Sequence, residues 1–347
     1  MSRVFVHGLG AVSSAGWGVP ALRTAVGNSE PLPAAPQARP GWNRPLMFHP
    51  VPAPATRPGF FAHPRLRRAS AIAQYTVAAG LEALGEDTAR VQAGALRLGI
   101  VVCVMGGNVN YSRRFYEETL KDPATASPLL FPETVFNAPA SHLAAYLNTK
   151  AASYTLVGDD GTFLQGLGLA AGWLMDGKAD GCVVIGAEET DWIVSDAIRL
   201  FHRKAIHSGG AGALYLQNNP PPTAAVELAG ITDAFNFAPH QPRDKAARRM
   251  RSQLPGGAPN ELLCPGTQGL PRADAAENAA WQDWTGPRRM PKAVLGEAFV
   301  AAAGWQCVLA CDALRRREFA AANVSVVGVN QQAIGARFTI PDFSYNP

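Results

Sequence analysis

The feature of this sequence that most restricts its fold is a unit that occurs twice: a glycine turn, a helix of small residues and an apolar strand. The first copy runs from Gly158-Asp159-Asp160-Gly161 through an Ala/Gly/Leu-rich stretch over 162–176 to the strand Cys182–Ile185. The second begins roughly 140 residues later, passing from Leu295-Gly296-Glu297 through AFVAAAGWQCVLACDAL and Arg315–Arg317 to the strand Val324–Val329. Strands that are apolar along their whole length need cover on both faces. The repeat therefore predicts an internally duplicated α/β protein.

The remaining chain fits that frame. Val4–His7 reads as a first strand, with Gly8-Leu9-Gly10 as the turn out of it. Prolines recur through residues 29–64 and exclude helix and central strand, so that segment reads as an extended surface loop. Apolar residues at helical spacing predict a helix from Leu66 to Leu84. Leu98–Met105 and Ser153–Val157 read as strands, and Phe136–Asn148 as a helix.

With 347 residues, 47% of them hydrophobic, the chain can bury a core of about two domain-sized units. No run reaches the ~18 apolar residues of a membrane span, and Met1-Ser2-Arg3 does not open a signal peptide, so a cytoplasmic location is expected. A net charge of +4 is too small and too scattered to indicate nucleic acid. The basic clusters are local: Arg65, Arg67 and Arg68; Arg248, Arg249 and Arg251; Arg315, Arg316 and Arg317. Each reads as a solvated face or as a docking face for an acidic partner. The five cysteines form no CxxC pair, and Cys307 and Cys311, one helical turn apart, have no neighbouring ligand to make a metal site. No cofactor is implied.

Several segments, in order, resemble the β-ketoacyl-ACP synthases, the condensing enzymes of the thiolase fold. They are VFVHGLGAVSSAGWGVPALRTAV, RLRRASAIAQYTVAAGLEALG, FNAPASHLAAYLNTKAASYTL, LMDGKADGCVVIGAEE and GGAGALYLQNN, followed by weaker matches at LLCPGTQGLPRADAAEN, MPKAVLGEAFVAAAGWQ and VVGVNQQAIGARF. The resemblance covers nearly the whole chain. It implies a five-layer αβαβα fold in a dimer, with one thiolase-like half over residues 1–218, carrying the loop 29–64, and a shortened half over 219–347.

Active members load the acyl chain on a cysteine at a helix N-terminus, where the dipole favours the thiolate. They use two histidines to stabilise the charge that develops as carbon dioxide leaves. Matching TLVGDDGTFLQGL to the nucleophile motif puts Asp160 at the cysteine position. The H-G-T-G-T motif reads Pro265-Gly266-Thr267-Gln268-Gly269, and K-x-x-x-G-H reads Lys292-Ala293-Val294-Leu295-Gly296-Glu297. The triad is thus Asp160, Pro265 and Glu297, with Lys292 retained. Proline donates no hydrogen bond, and two carboxylates ~4 Å apart would repel by several kcal/mol, the wrong sign for decarboxylation. Lys292 reads as an ion-pair partner of Glu297 or a neighbouring carboxylate. The late G-F-G-G-x-N loop reads Gly328-Val329-Asn330-Gln331-Gln332-Ala333, with amides in place of two glycines. The histidines His7, His49, His63, His142, His202, His207 and His240 fall on no catalytic motif.

The resemblance also implies a role. A degenerate subunit can wall off the tunnel of an active neighbour, as a chain-length factor does. Tyr111, Phe115, Phe131 and Phe136 are the side chains expected at that tunnel or interface. Arg65, Arg67, Arg68, Arg248 and Arg249 are those expected to meet an acyl carrier protein. The expected function is a non-catalytic partner of an active ketosynthase in polyketide or specialised fatty-acid synthesis, such as that of aryl polyenes. Two alternatives stand beside it: an acyl-thioester hydrolase or isomerase using Asp160 and Glu297, and a homodimeric acyl-binding or regulatory protein.

Overall fold

The computed structural model describes residues 3–150, 152–238 and 241–341. In chain order the strands are β1 Phe5–Ser13, β2 Gly16–Trp17, β3 Ala35–Gln37, β4 Leu46–His49, β5 Leu98–Val104, β6 Ser153–Val157, β7 Gly181–Glu188, β8 His207–Ser208, β9 Gly210–Gln217, β10 Val226–Ile231, β11 Phe235–Asn236, β12 Glu261–Pro265, β13 Ala321–Val327 and β14 Gln332–Thr339. The helices are α1 Val19–Asn28, α2 Ala71–Leu84, α3 Asp87–Gln92, α4 Val109–Lys121, α5 Ala138–Tyr146, α6 Thr162–Met175, α7 Trp192–Phe201, α8 Arg243–Ser252, α9 Pro271–Ala280, α10 Pro291–Leu295 and α11 Phe299–Arg315.

The duplication is visible in strand direction. In the order β1-β9-β7-β5-β6, two antiparallel pairings are followed by parallel ones. In β10-β14-β13-β12 the same antiparallel, antiparallel, parallel succession recurs. Among the described residues β6 has no counterpart in the second array, which ends at β12. The arrays join where β1 pairs β10, Phe5 opposite Glu227 and Val6 opposite Val226.

Helices α6 and α11 form the layer between the arrays. α11 packs on β1, β7 and β9 from one side and on β12 and β13 from the other, and every residue from Phe299 to Leu314 is buried. A helix apolar all round needs such a position. α2 and α5 cover the outer face of the first array, and α8 and α9 that of the second, which gives the five layers αβαβα. No helix among the described residues is long and apolar enough to cross a membrane.

Four local expectations need correction. Gly8-Leu9-Gly10 is not a turn but the middle of β1, because α2 lies so close that a Cβ at Gly8 or Gly10 would overlap the carbonyl oxygens of Ala83 and Ala79. The helix expected from Leu66 starts at Ala71. Pro64–Arg68 is a 3₁₀ turn, Ala69 is extended, and Ser70 caps α2 by accepting from Ala73 N. The proline-rich segment is not all loop: β3 pairs β4 and β4 pairs β8 in a small separate sheet, and Leu46 and His49 are buried. Arg315 is no solvated charge, since it is largely buried and donates to Val6 O (2.9 Å).

Candidate functional site

The turn 158–161 delivers Asp160 to the mouth of α6, buried beneath the second half of the chain. Facing it, α10 carries Lys292 and ends at Gly296, whose φ of 87° lets the chain swing directly into α11. Glu297 follows in that corner. Its backbone is pinned by Glu297 N donating to Ile206 O (2.9 Å) and by Ser208 N donating to Glu297 O (2.8 Å). Its carboxylate accepts from Phe299 N (2.8 Å), satisfying a free amide at the start of α11.

Lys292 lies between the two carboxylates. Its ammonium donates to Asp160 Oδ2 and to Glu297 Oε2 (2.9 Å), and all three side chains are buried. Burial opposes the charge on Lys292, but the two carboxylates outweigh it and push the amine up. Burial lifts the Glu297 carboxyl to about 7, against the pull of Lys292. The bare repulsion expected between Asp160 and Glu297 is therefore bridged by an ammonium.

Pro265 is buried at the end of β12, opposite Ser325 of β13. The hydrogen bond from this turn to the cluster comes from three residues further on, where Gln268 Nε2 donates to Glu297 Oε2 (2.5 Å). Sequence reasoning missed two further members, Gln268 and Asp159. The Asp159 carboxylate accepts from Gln331 N (3.0 Å) and Gln332 Nε2 (3.4 Å), tying the late loop to the start of α6. Burial, with Asp160 beside it, lifts Asp159 to about 6. The only signal available was the doubled Asp in the turn and the amides in the late loop.

Other buried acids hold the scaffold. Glu188 accepts from Met105 N (2.5 Å) and Gly106 N (3.0 Å), and burial lifts it to about 8. Glu277 accepts from Gly266 N (3.0 Å) and Ser325 Oγ (2.5 Å), and burial lifts it to about 7. Among the described residues no histidine hydrogen-bonds Asp160, Lys292 or Glu297; His240 lies outside the described residues. All five cysteines are buried. Burial pushes the thiols of Cys182 and Cys264 up to about 12 and those of Cys103, Cys307 and Cys311 further. That is the opposite of what a nucleophilic thiolate needs.

The aromatic residues singled out from sequence gather on one surface. Tyr111 and Phe115 lie on α4, and the Tyr111 hydroxyl donates to Arg68 O. The rings of Phe115 and Phe131 are 5.6 Å apart, and Phe131 and Phe136 are exposed, as are Tyr116, Leu120 and Leu129 nearby in sequence. Arg65, Arg67 and Arg68 are exposed in the 3₁₀ turn that Tyr111 touches. Arg249 is exposed on α8, whereas Arg248 pairs with Asp244.

No family model matches the chain, and no curated protein matches it. Solved structures do. A β-ketoacyl synthase from Burkholderia phymatum superposes with a TM-score of 0.77 at 16% identity, covering 98% of this chain and 100% of that one. The chain has the β-ketoacyl synthase fold. A ketosynthase in complex with its chain length factor from Xenorhabdus doucetiae matches at TM-score 0.77 and 14% identity, with 98% of each chain covered. The ishigamide ketosynthase/chain length factor matches at TM-score 0.74 and 15% identity, over 97% of this chain and 99% of that chain. The five layers around α6 and α11 are thus the thiolase-type architecture of these synthases, with Asp160, Lys292 and Glu297 buried at its centre.

Proposed function

We propose that this chain is a non-catalytic, ketosynthase-like subunit that pairs with an active β-ketoacyl-ACP synthase and shapes its acyl tunnel, as a chain length factor does. The observation that carries the reading is Lys292 lodged between Asp160 and Glu297 in a buried cluster. No thiolate or imidazole there can load a chain or stabilise a developing enolate.

The pairing surface is read from two features. β6 is an edge strand with Tyr154 and Val157 exposed, an unpaired row of backbone groups that a partner strand can extend. The exposure of Phe131 and Phe136 on the face of α4 and residues 129–136, with Phe115 beside Phe131, supports their bordering a neighbour's tunnel. Arg65, Arg67, Arg68 and Arg249 would receive an acidic carrier protein. The products would be polyketides or specialised fatty acids, aryl polyenes among them, made in the cytoplasm.

Co-expression with a synthase that keeps its Cys-His-His triad tests the reading. The expected result is a stable complex whose product length differs from that of the synthase alone, read by mass spectrometry. A tight homodimer that ignores every synthase offered would favour the homodimeric binding protein instead. Acid–base chemistry on an acyl thioester draws support from the raised Glu297 and Asp159 carboxyls. It requires that Glu297→Gln abolish a measurable thioesterase or isomerase activity.

A further inference from the structure

A cleft of about 380 Å³ lies where the start of α6, β11 and the late loop meet. Its polar lining consists of Thr162, Gln165, Asn236, Asn330, Gln331 and Gln332; among the described residues the remaining lining is apolar and no charged side chain contributes. Of the loop amides, Asn330 and Gln331 fall where the resembled motif has glycines.

Two carbonyl oxygens are buried here without a hydrogen-bond partner among the described residues, Gln332 Oε1 and Asn330 Oδ1. Gln332 is only 3% exposed. Its amide nitrogen is already committed to Asp159 Oδ1 (3.4 Å) and Gln165 Oε1 (3.2 Å), which fixes the orientation of the group and leaves the carbonyl as its free end. A buried acceptor without a donor costs free energy until one arrives. The nearby Asp159 carboxylate is occupied by Gln331 N and Gln332 Nε2.

These facts restrict the ligand. The described lining offers a charged group no counter-charge. An ester, ether or ketone brings acceptors only and leaves both carbonyls unpaired. We propose that this cleft binds a neutral ligand rich in N–H or O–H donors, a secondary amide or a polyol. One wall of the cleft, Val157, belongs to the edge strand β6 proposed above as a pairing surface, so the test uses the unpaired chain.

Ligand-observed NMR on the full chain tests it with three neutral probes: N,N′-diacetylethylenediamine, the matched diester ethylene glycol diacetate, and myo-inositol. The expected result is saturable binding of the diamide or inositol, with the diester about tenfold weaker. Stronger diamide than inositol binding identifies an amide-bearing ligand, and the reverse a polyol. Gln165→Ala and Asn236→Ala, both at exposed positions, are expected to weaken binding about fivefold with unchanged Tm. Binding of neither donor probe, equal binding of the diester, or no effect of either variant would overturn the proposal.

Discussion

The interior around Asp160 and the face formed by α4 with residues 129–136 invert the usual partition of a folded chain. Inside, Asp160, Glu297 and Lys292 are 0%, 0% and 4% exposed. Outside, Phe131, Leu120 and Leu129 are 57%, 68% and 70% exposed. A buried charge is tolerated only when paired and hydrogen-bonded; Lys292 pairs both carboxylates and Gln268 and Phe299 N serve Glu297, whereas Asp160 Oδ1 has no hydrogen-bond partner among the described residues. A row of exposed apolar side chains is tolerated when something covers it. The difference teaches how charge and apolar surface are distributed: an ion cluster ties the two halves together at Asp160 and Lys292, and in the proposed function the exposed apolar face is what a partner would cover.

Breaking the interior produces the largest effect. Lys292→Met leaves Asp160 and Glu297 facing one another without a counter-charge and is expected to cost about 3–5 kcal/mol, read from urea unfolding. Combining it with Asp160→Asn and Glu297→Gln should recover most of that loss, since no net charge then remains. A triple variant as unstable as the single one would show that the cluster matters through shape and not charge.

A second effect follows from pH. Asp159, Glu277, Glu297 and Glu188 have folded-state values of about 6, 7, 7 and 8, all above the ordinary carboxylate range. Between pH ~4.5 and ~8 the folded chain therefore binds more protons than the unfolded one, and stability falls as pH rises through that window. Lys292, pushed up, stays charged throughout and does not reverse the sign. Unfolding free energies at pH ~5.5 should exceed those at pH ~8.5 by several kcal/mol; a flat or rising profile would mean these carboxyls are ionised at no cost.

The interior was legible in sequence because motif spacing names positions. Asp160, Lys292 and Glu297 were picked out by the spacing of the resembled motifs, and the structure brings their side chains into contact. Gln268 and Asp159 were not legible, because their partners lie 29 and 172 residues away in the chain, the first within the second half and the second across the stacked halves. For the fold, β6 was read with its observed limits, since Ser153–Val157 is a β-rich run closed by Gly158. Gly8 and Gly10 misled because glycine signals a turn when read locally, whereas here it admits the backbone of α2. Ser70 was an available cap signal for α2, hidden by helical spacing that runs back through Ala69.

Disturbing the surface should change folding least. Leu120→Asp and Phe131→Asp alter exposed side chains and are expected to move stability by no more than ~0.5 kcal/mol. In the proposed heterodimer each should weaken association by about tenfold, measured by calorimetry or analytical ultracentrifugation. Unchanged association would move the pairing surface away from α4.

The central claim is tested most directly by the intact mass of the isolated chain after incubation with an acyl-ACP primer and malonyl-ACP. The account predicts an unmodified mass and no β-ketoacyl product, because an ammonium lies between two carboxylates where a thiolate would have to be. An acyl adduct on the chain, or a β-ketoacyl product formed without a partner synthase, would contradict it.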